Sequence, residues 1–236
     1  MNVLDSTQPS PAANLALDEV LLDACENGAG EVLRFWEPQE YFVVVGYSNA
    51  VATEVNVAAC RRENVGIYRR CSGGGTVLQG PGCLNYTLIL RINRDPALQT
   101  ITGANRYIMG RHADALTALT GRPVKVQGHT DLVIDGLKFS GNAQRRKRHA
   151  LIFHGTFLLD FDLAKIEQFL PLPSREPDYR QRRPHTKFLM NLGLEGAKVK
   201  NALCQTWSAV GAPKVVPDCG KLTAEKYSLD YWNLKF

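Results

Sequence analysis

The run Arg69-Arg70-Cys71-Ser72-Gly73-Gly74-Gly75-Thr76 sets two guanidinium groups directly before three consecutive glycines. Glycine has no Cβ and tolerates positive φ, so backbone N–H groups can come close to a ligand. Several amides pointing one way form an anion nest. Arginine adds permanent charge and forked donors that match phosphate or carboxylate. The block therefore predicts a phosphate-bearing ligand. A bare triple glycine is commonly a turn or a bulge; the arginine pair and the flanking apolar residues weigh against that here. No Gly-Lys-Ser/Thr closes the block, so it is not a Walker A loop, and it lacks the Gly-x-Gly-x-x-Gly dinucleotide fingerprint.

A second block, Asp131-Leu132-Val133-Ile134-Asp135-Gly136-Leu137-Lys138-Phe139-Ser140-Gly141-Asn142-Ala143-Gln144, carries a single lysine among strand-forming residues. Asp135-Gly136 is a strong hairpin turn signal. A strand lysine is commonly solvated, but beside Ser140 and Gly141 this one has room to project into a pocket. Strict alternation, with the turn ignored, puts Val133, Asp135, Leu137 and Phe139 on one face. Leu132, Ile134, Gly136 and Lys138 then share the other, and the chain reversal leaves that parity open.

Around these blocks stand the elements that must position them. Apolar spacing predicts a helix from Ala12 to Cys25. Strands are expected at Val32–Trp36, Tyr41–Val45, Val65–Arg69, Thr76–Leu78 and Leu84–Leu90. A short helix suits Val55–Glu63, and a longer one Ala104–Leu119, capped by Gly121. Ala150–Leu159 reads as a strand and Leu163–Phe169 as a helix. Pro171 to Pro184 reads as an exposed polar loop. Asn201–Val210 and Leu222–Trp232 read as terminal helices. Strands and helices mix without regular alternation, so the expected class is α+β. No repeat or linker divides residues 1–236, which are read as a single domain.

Composition narrows the function. The 236 residues are 44% hydrophobic and 22% charged, ordinary for a soluble globular chain. A net charge of +5 is too weak to argue for nucleic acid, and fits anionic substrates or an acidic protein partner. Six cysteines form no Cys-x-x-Cys pair, which leaves zinc and thioredoxin-like chemistry without support and suits a reducing compartment. No signal pattern opens the chain and no apolar run has membrane-spanning length. The expected location is the cytoplasm, with no membrane partner.

Taken in order, Arg69 to Val77, Gly82-Cys83-Leu84-Asn85-Tyr86, Asp131 to Gln144, and His154-Gly155-Thr156-Phe157-Leu158-Leu159 resemble the lipoate–protein ligase A family. Asn14 to Glu19, Gly46-Tyr47-Ser48-Asn49 and Met190-Asn191-Leu192 extend the resemblance over nearly the whole chain. It implies the fold shared with biotin ligases, a mixed, largely antiparallel sheet with flanking helices. It also implies the reaction. Lipoate and ATP form lipoyl-AMP, and the acyl group then passes to a lysine of a lipoyl carrier, either an E2-type domain or a glycine-cleavage H-type protein.

The resemblance also implies the roles. Arg70, Ser72, Gly73, Gly74, Gly75, Thr76, Val77, Leu78 and Lys138 contact the nucleotide. Arg70, Gly74, Gly75, Asn85, Lys138, Gly141 and His154 contact the acyl substrate. Lys138 is the catalytic residue, touching both the acyl carbonyl and the α-phosphate. These roles require its amine to face the glycine amides. Mg²⁺ is expected to neutralise the leaving pyrophosphate, with Asp131 the candidate carboxylate near it and a turn-capping role for Asp131 as the alternative. Trp36, Val44, Gly46 and Tyr47 are candidates for the acyl slot. Arg145-Arg146-Lys147-Arg148 reads as a solvated loop, with a dock for an acidic carrier as the second reading.

Two departures from the family pattern matter. Gln79 stands where a histidine is usual, and Gly80-Pro81-Gly82 resembles the related octanoyl transferases, which pass acyl groups through a cysteine thioester. The stretch Val126 to Thr130, where some of those relatives carry their cysteine, has none. Cys219-Gly220 faintly resembles the cysteine of another transferase subgroup. The sequence reads as lacking the C-terminal accessory domain of many ligases, which leaves two expectations, a separate accessory protein or a chain that does only part of the reaction. A lipoyl or octanoyl transferase, and a non-catalytic lipoyl-binding protein, are the competing readings.

Overall fold

The computed structural model describes all 236 residues. Its first helix, α1 (Pro11–Glu26), starts where Ser10 caps it, the hydroxyl accepting from the Ala13 amide at 3.2 Å. Proline fits that first turn because its missing N–H would have no helical partner there. Ten strands follow the apolar runs: β1 (Asn2–Asp5), β2 (Val32–Trp36), β3 (Phe42–Val45), β4 (Gly66–Arg69), β5 (Val77–Gln79), β6 (Cys83–Arg91), β7 (Lys125–Gln127), β8 (Asp131–Ile134), β9 (Leu137–Arg146) and β10 (Ala150–Leu158). The other two long helices are α2 (Ile101–Thr120) and α3 (Gly196–Trp207). Gly121 ends α2 at φ +67°, where a side chain would be strained.

The strands form two sheets. Seven run in the order β1-β2-β6-β10-β9-β8-β7 and three in the order β4-β3-β5. Only β1–β2 and β3–β4 pair in parallel. The result is a mixed α+β fold with a mostly antiparallel main sheet.

Alternation divides the large sheet. One face points Phe35, Tyr86, Leu88, Phe153 and Phe157 at Ile108, Met109, Leu203 and Trp207 of α2 and α3. The other face is polar over its central strands. Register sets Arg34, Thr87, His154 and Ala143 in one row across β2, β6, β10 and β9, and Trp36, Asn85, Thr156 and Gly141 in the next. Helix α1 covers one end of this face, with Leu17, Leu21 and Leu22 on Val32, Ile89 and Ile152.

The β8–β9 hairpin turns at Asp135 (φ +51°) and Gly136 (φ +76°), as its Asp-Gly pair predicts. Its parity differs from strict alternation. Leu132 pairs with Ser140 but Val133 pairs with Lys138, so Phe139 is an extra residue. This bulge sends Phe139 into the core beside Leu132 and Ile134. Lys138 is thereby moved to the polar face, over Gly141.

Three other expectations change. Arg145 and Arg146 are the end of β9 rather than a solvated loop. They and Lys147 bind inside the chain, to Glu19, the Leu98 carbonyl and Asp23 respectively. Leu222–Trp232 is no continuous helix but three short turns, Gly220–Leu222, Thr223–Tyr227 and Asp230–Asn233. Residues five apart on an α-helix sit about 140° apart around it, and both Tyr227 and Trp232 must enter one apolar cluster with Ala12, Trp36 and Phe42. The segment from Pro171 to Pro184 holds a short 3-10 turn, Asp178–Arg180, with Arg180 buried. No helix is long and apolar enough to cross a membrane.

Candidate active site

The two arginines that lead into the glycines do different work. Arg69 is fully buried, and its guanidinium donates to the carbonyls of Gly46, Tyr47, Asn49 and Trp232. It clamps the C-terminal segment, donating to the Trp232 and Lys235 carbonyls. Arg70 turns back under its own loop, donating from Nε to Ser72 Oγ at 3.1 Å and from Nη2 to the carbonyls of Gly73 (2.6 Å) and Gly75 (2.7 Å). Burial pulls its pKa down to about 10, so it stays a cation at neutral pH. No carboxylate pairs with it, and Nη1 makes no bond within the chain.

Drawing the Gly73 and Gly75 carbonyls down onto Arg70 turns the loop's amides away from it. None of the backbone N–H groups from Gly73 to Thr76 donates within the chain. Gly74 lies at φ +89°, and a Cβ there would stand 2.9 Å from Arg70 Nη2 and 3.5 Å from Ala143 Cβ. A Cβ on Gly46 would strike the Gly74 carbonyl at 2.1 Å. Both glycines are therefore required by close approach. Gly73 and Gly75 face open space. A buried cation under a set of free amides is receptive to an anion.

Below the loop a hydrogen-bond chain crosses the polar face. Ser72 Oγ lies 2.6 Å from His154 Nε2, and His154 Nδ1 lies 3.2 Å from Asp18 Oδ2. With a ring proton on Nδ1, facing the carboxylate, Nε2 is left to accept from the serine. Thr87 donates to the same Asp18 oxygen at 2.8 Å, and Arg34 binds the other at 2.6 Å. Burial raises the pKa of Asp18, but Arg34 and the bonds from His154 and Thr87 outweigh it and hold the carboxyl below its usual range. Glu19, the next residue, takes Lys226, Tyr227 and Arg145, which overcome its burial in the same way.

Lys138 stands at the rim. Its Nζ is 2.8 Å from Asp131 Oδ1, and the lysine side chain is 24% exposed. It rests where a Cβ on Gly141 would be, 2.9 Å away. Gly141 and Ala143 are two residues apart, about 7 Å along the strand. The amine thus shares a face with the residue that the glycine loop touches.

Several expected contacts look different in the fold. Asn85 is buried in a closed ring: it donates to Gln79 at 3.0 Å, Gln79 donates to Thr156 at 2.7 Å, and Thr156 donates back to Asn85 at 2.5 Å. Gln79, the departure from the family histidine, is a structural member of that ring. Asp131 has both oxygens engaged within the chain. Tyr179 donates to its second oxygen at 2.7 Å while Lys138 holds the first, and no group of three metal-ligating side chains exists in the chain. Trp36 and Val44 are buried in an apolar cluster with α1, whereas Tyr47 is exposed against Trp232. Val77 and Leu78 are strand residues of β5.

All six cysteines are free thiols. Burial, then the charge of Glu19, pushes Cys71 up to about 11, and burial pushes Cys83 up to about 12. Neither is a thiolate at neutral pH.

Sequence reasoning missed Asp18, Glu19, Arg34, Thr87 and Tyr179 as members of the site. The signal lay in charge at apolar positions: Asp18-Glu19 inside an apolar helix, and Arg34 alone within Val32-Leu33-Arg34-Phe35-Trp36. Buried charges of this kind need partners.

Solved structures share this architecture. An archaeal bi-partite lipoate protein ligase from Thermoplasma acidophilum superposes with a TM-score of 0.84 at 21% identity, covering 99% of this chain and 95% of that one. A lipoate-protein ligase A bound with ATP superposes with a TM-score of 0.81 at 22% identity, covering 99% and 98%. Residues 10–203 match the lipoyl protein ligase A/B catalytic domain, and the chain belongs to that family. It is 30% identical over 169 residues to a protein of Mycoplasma pneumoniae described as a probable lipoate-protein ligase A, covering 71% of this chain and 48% of that protein. It is equally 30% identical over 203 residues to the octanoyltransferase LipM of Lysinibacillus sphaericus, covering 76% of this chain and 73% of the relative. The chain spans about half the length of the Mycoplasma protein.

Proposed function

We propose that the chain is an ATP-dependent lipoate–protein ligase that forms lipoyl-AMP and transfers the lipoyl group to a lysine of a lipoyl carrier. One observation carries the reading. The uncompensated Arg70 cation, the free amides of Gly73 to Thr76 and the Lys138 amine converge on one side of the large sheet. That arrangement suits a phosphate joined to a carboxyl group. The ATP-bound and lipoic-acid-bound ligases with this fold are consistent with both ligands.

In this reading the amides from Gly73 to Thr76, with Arg70 and Ser72 beneath and Val77-Leu78 behind, hold the nucleotide. Lipoate lies along the polar face, its head beside Gly74, Gly75, Gly141 and His154. Asn85 shapes the wall through its ring with Gln79 and Thr156. Lys138 leaves Asp131 and binds between the acyl carboxyl and the α-phosphate. It first stabilises charge on the pentavalent phosphorus, then the oxyanion formed when the carrier amine attacks. Fixed donors of this kind need no reorganisation as charge develops. Mg²⁺ would neutralise the leaving pyrophosphate and would arrive on the phosphates, since the chain offers no ligand cluster.

The LipM similarity supports a second reading, acyl transfer from an acyl-carrier donor through a cysteine. Against it, Cys219, the cysteine that resembles a transferase nucleophile, packs partly buried against the apolar clusters around α1, and Cys71 and Cys83 are protonated at neutral pH. The test is mass spectrometry of an E2-type or H-type lipoyl carrier incubated with the protein, lipoate and ATP-Mg²⁺. A lipoyl mass gain that requires ATP supports the ligase. A gain only from an acylated carrier donor, through an enzyme thioester, overturns it. The archaeal neighbour is bi-partite, so the assay is run with and without a separate accessory protein.

A further inference from the structure

The segment that begins at Pro171 grips Lys138 twice. Tyr179 donates its hydroxyl to Asp131 Oδ2 at 2.7 Å, and Asp131 Oδ1 holds Lys138 Nζ at 2.8 Å. Further along, the Met190 amide donates to the Lys138 carbonyl at 2.9 Å. Arg183 ties the same segment to the hairpin turn, donating to the Gly136 carbonyl at 3.3 Å and to the Tyr179 carbonyl at 2.8 Å. The Tyr179 ring has a fixed seat against Phe188, with centroids 5.2 Å apart. Gly128 closes the other side, where a Cβ would stand 3.6 Å from the ring. Burial, then the charge of Asp131, keeps the phenol protonated, so it is a standing donor.

We propose that Tyr179 is a positioning residue for Lys138, acting through Asp131. The proposal rests on the reading in which Lys138 meets the acyl head. A lysine stem has four rotatable bonds, and its charge samples many positions unless something holds it. Asp131 supplies that hold only while its own carboxylate is fixed. Tyr179 fixes the oxygen that the lysine does not use. The amine then waits over the bare backbone of Gly141 rather than in solvent, and a short move carries it to the phosphate. Preset placement of this kind matters because a small displacement of a catalytic group costs rate steeply.

The experiment is a double-mutant cycle of Tyr179→Phe and Asp131→Asn, which keeps the ring and the side-chain volume. Two quantities are read in each variant: kcat and KM for carrier lipoylation, and the rate at which an N-hydroxysuccinimide ester labels Lys138 without substrates, mapped by peptide mass spectrometry. Tyr179→Phe is expected to lower kcat about tenfold with the KM for lipoate within about twofold, and to speed labelling of Lys138. The double variant is expected to match Asp131→Asn alone in both readouts. The proposal is overturned if Tyr179→Phe costs the same factor in the Asp131→Asn background, or if it leaves labelling unchanged. A wild-type protein inactive with lipoate and ATP sinks the ligase reading instead, and the labelling cycle still decides the role of Tyr179.

Discussion

Two of the ion pairs on the polar side of this fold are built differently. Arg34–Asp18 lies under the glycine loop with side chains 0% and 3% exposed, and every partner around it is fixed. Lys138–Asp131 lies at the rim with side chains 24% and 15% exposed. The first cannot open without stranding a charge in the interior. The second can exchange its partner for a ligand phosphate, with water reaching the carboxylate left behind. On the proposed reading the floor holds the fold and the rim does the chemistry, and neither pair could take the other's place.

The sharpest way to break this contrast is to remove one member of each pair. Arg34→Met leaves Asp18 buried without its cation and is expected to cost about 3–5 kcal/mol of stability, read as a drop in the urea midpoint. Asp131→Asn is expected to cost no more than about 1 kcal/mol in the same assay, because the rim pair is partly exposed. Equal losses would erase the distinction. Lys138→Ala should invert the order. Carrier lipoylation falls about a hundred- to a thousandfold, by analogy with the loss of a single oxyanion donor, while the urea midpoint stays near wild type. Near-normal lipoylation in that variant would end the role assigned to the lysine.

The same contrast explains what could be read from sequence. Helices α1 and α2 and the Asp135-Gly136 turn were legible because periodicity, caps and turn chemistry are local. The order Arg70, glycine block, Lys138 was legible because each is a motif. The Arg34–Asp18 pair joins a strand to a helix that lies earlier in the chain, and nothing local announces the contact. The bulge at Phe139 is a one-residue slip with no compositional trace, yet it decides which face Lys138 occupies. The C-terminal turns were read as a helix because spacing cannot show that Tyr227 and Trp232 wrap the chain around Arg69. Tyr179 stayed hidden because its segment is polar and proline-rich, the composition of an ordinary loop.

Acid separates the buried groups by pH window. His112 is fully buried on the core side, accepts from Trp207 Nε1 at 2.9 Å, and is held neutral with its pKa lowered by burial and by Arg111 to about 3. In the unfolded chain it titrates near its ordinary value of about 6.5. The unfolded state thus binds the proton first, and stability present above about pH 6.5 falls by about 1.4 kcal/mol per unit as the pH drops towards 3. Asp18 joins only later. Its folded pKa is lowered, so its contribution is intact above about pH 4, the ordinary carboxyl range, and is lost as the pH falls further through the folded value. Urea unfolding at pH 7 and pH 5 should differ by about 2 kcal/mol, and His112→Gln, which keeps an acceptor for Trp207, should flatten that slope. An unchanged slope in the variant assigns the acid sensitivity to other groups.

The smallest effect tests the contrast most finely. Cys71 lies between Arg70 and Ser72 inside the motif, yet it belongs to the floor, packed beside Glu19, Arg145 and Tyr227 with its thiol protonated. Its proximity to the chemistry is an accident of chain order. Cys71→Ala is expected to cost about 1 kcal/mol of stability, as a modest buried truncation does, and to leave the lipoylation rate within about twofold, because the proposed ligase reaction relies on fixed donors and not on a sulfur nucleophile. A collapse of rate with a covalent acyl adduct lost from that position would move Cys71 from floor to chemistry. It would also replace the proposed ligase reading with that of a thioester transferase.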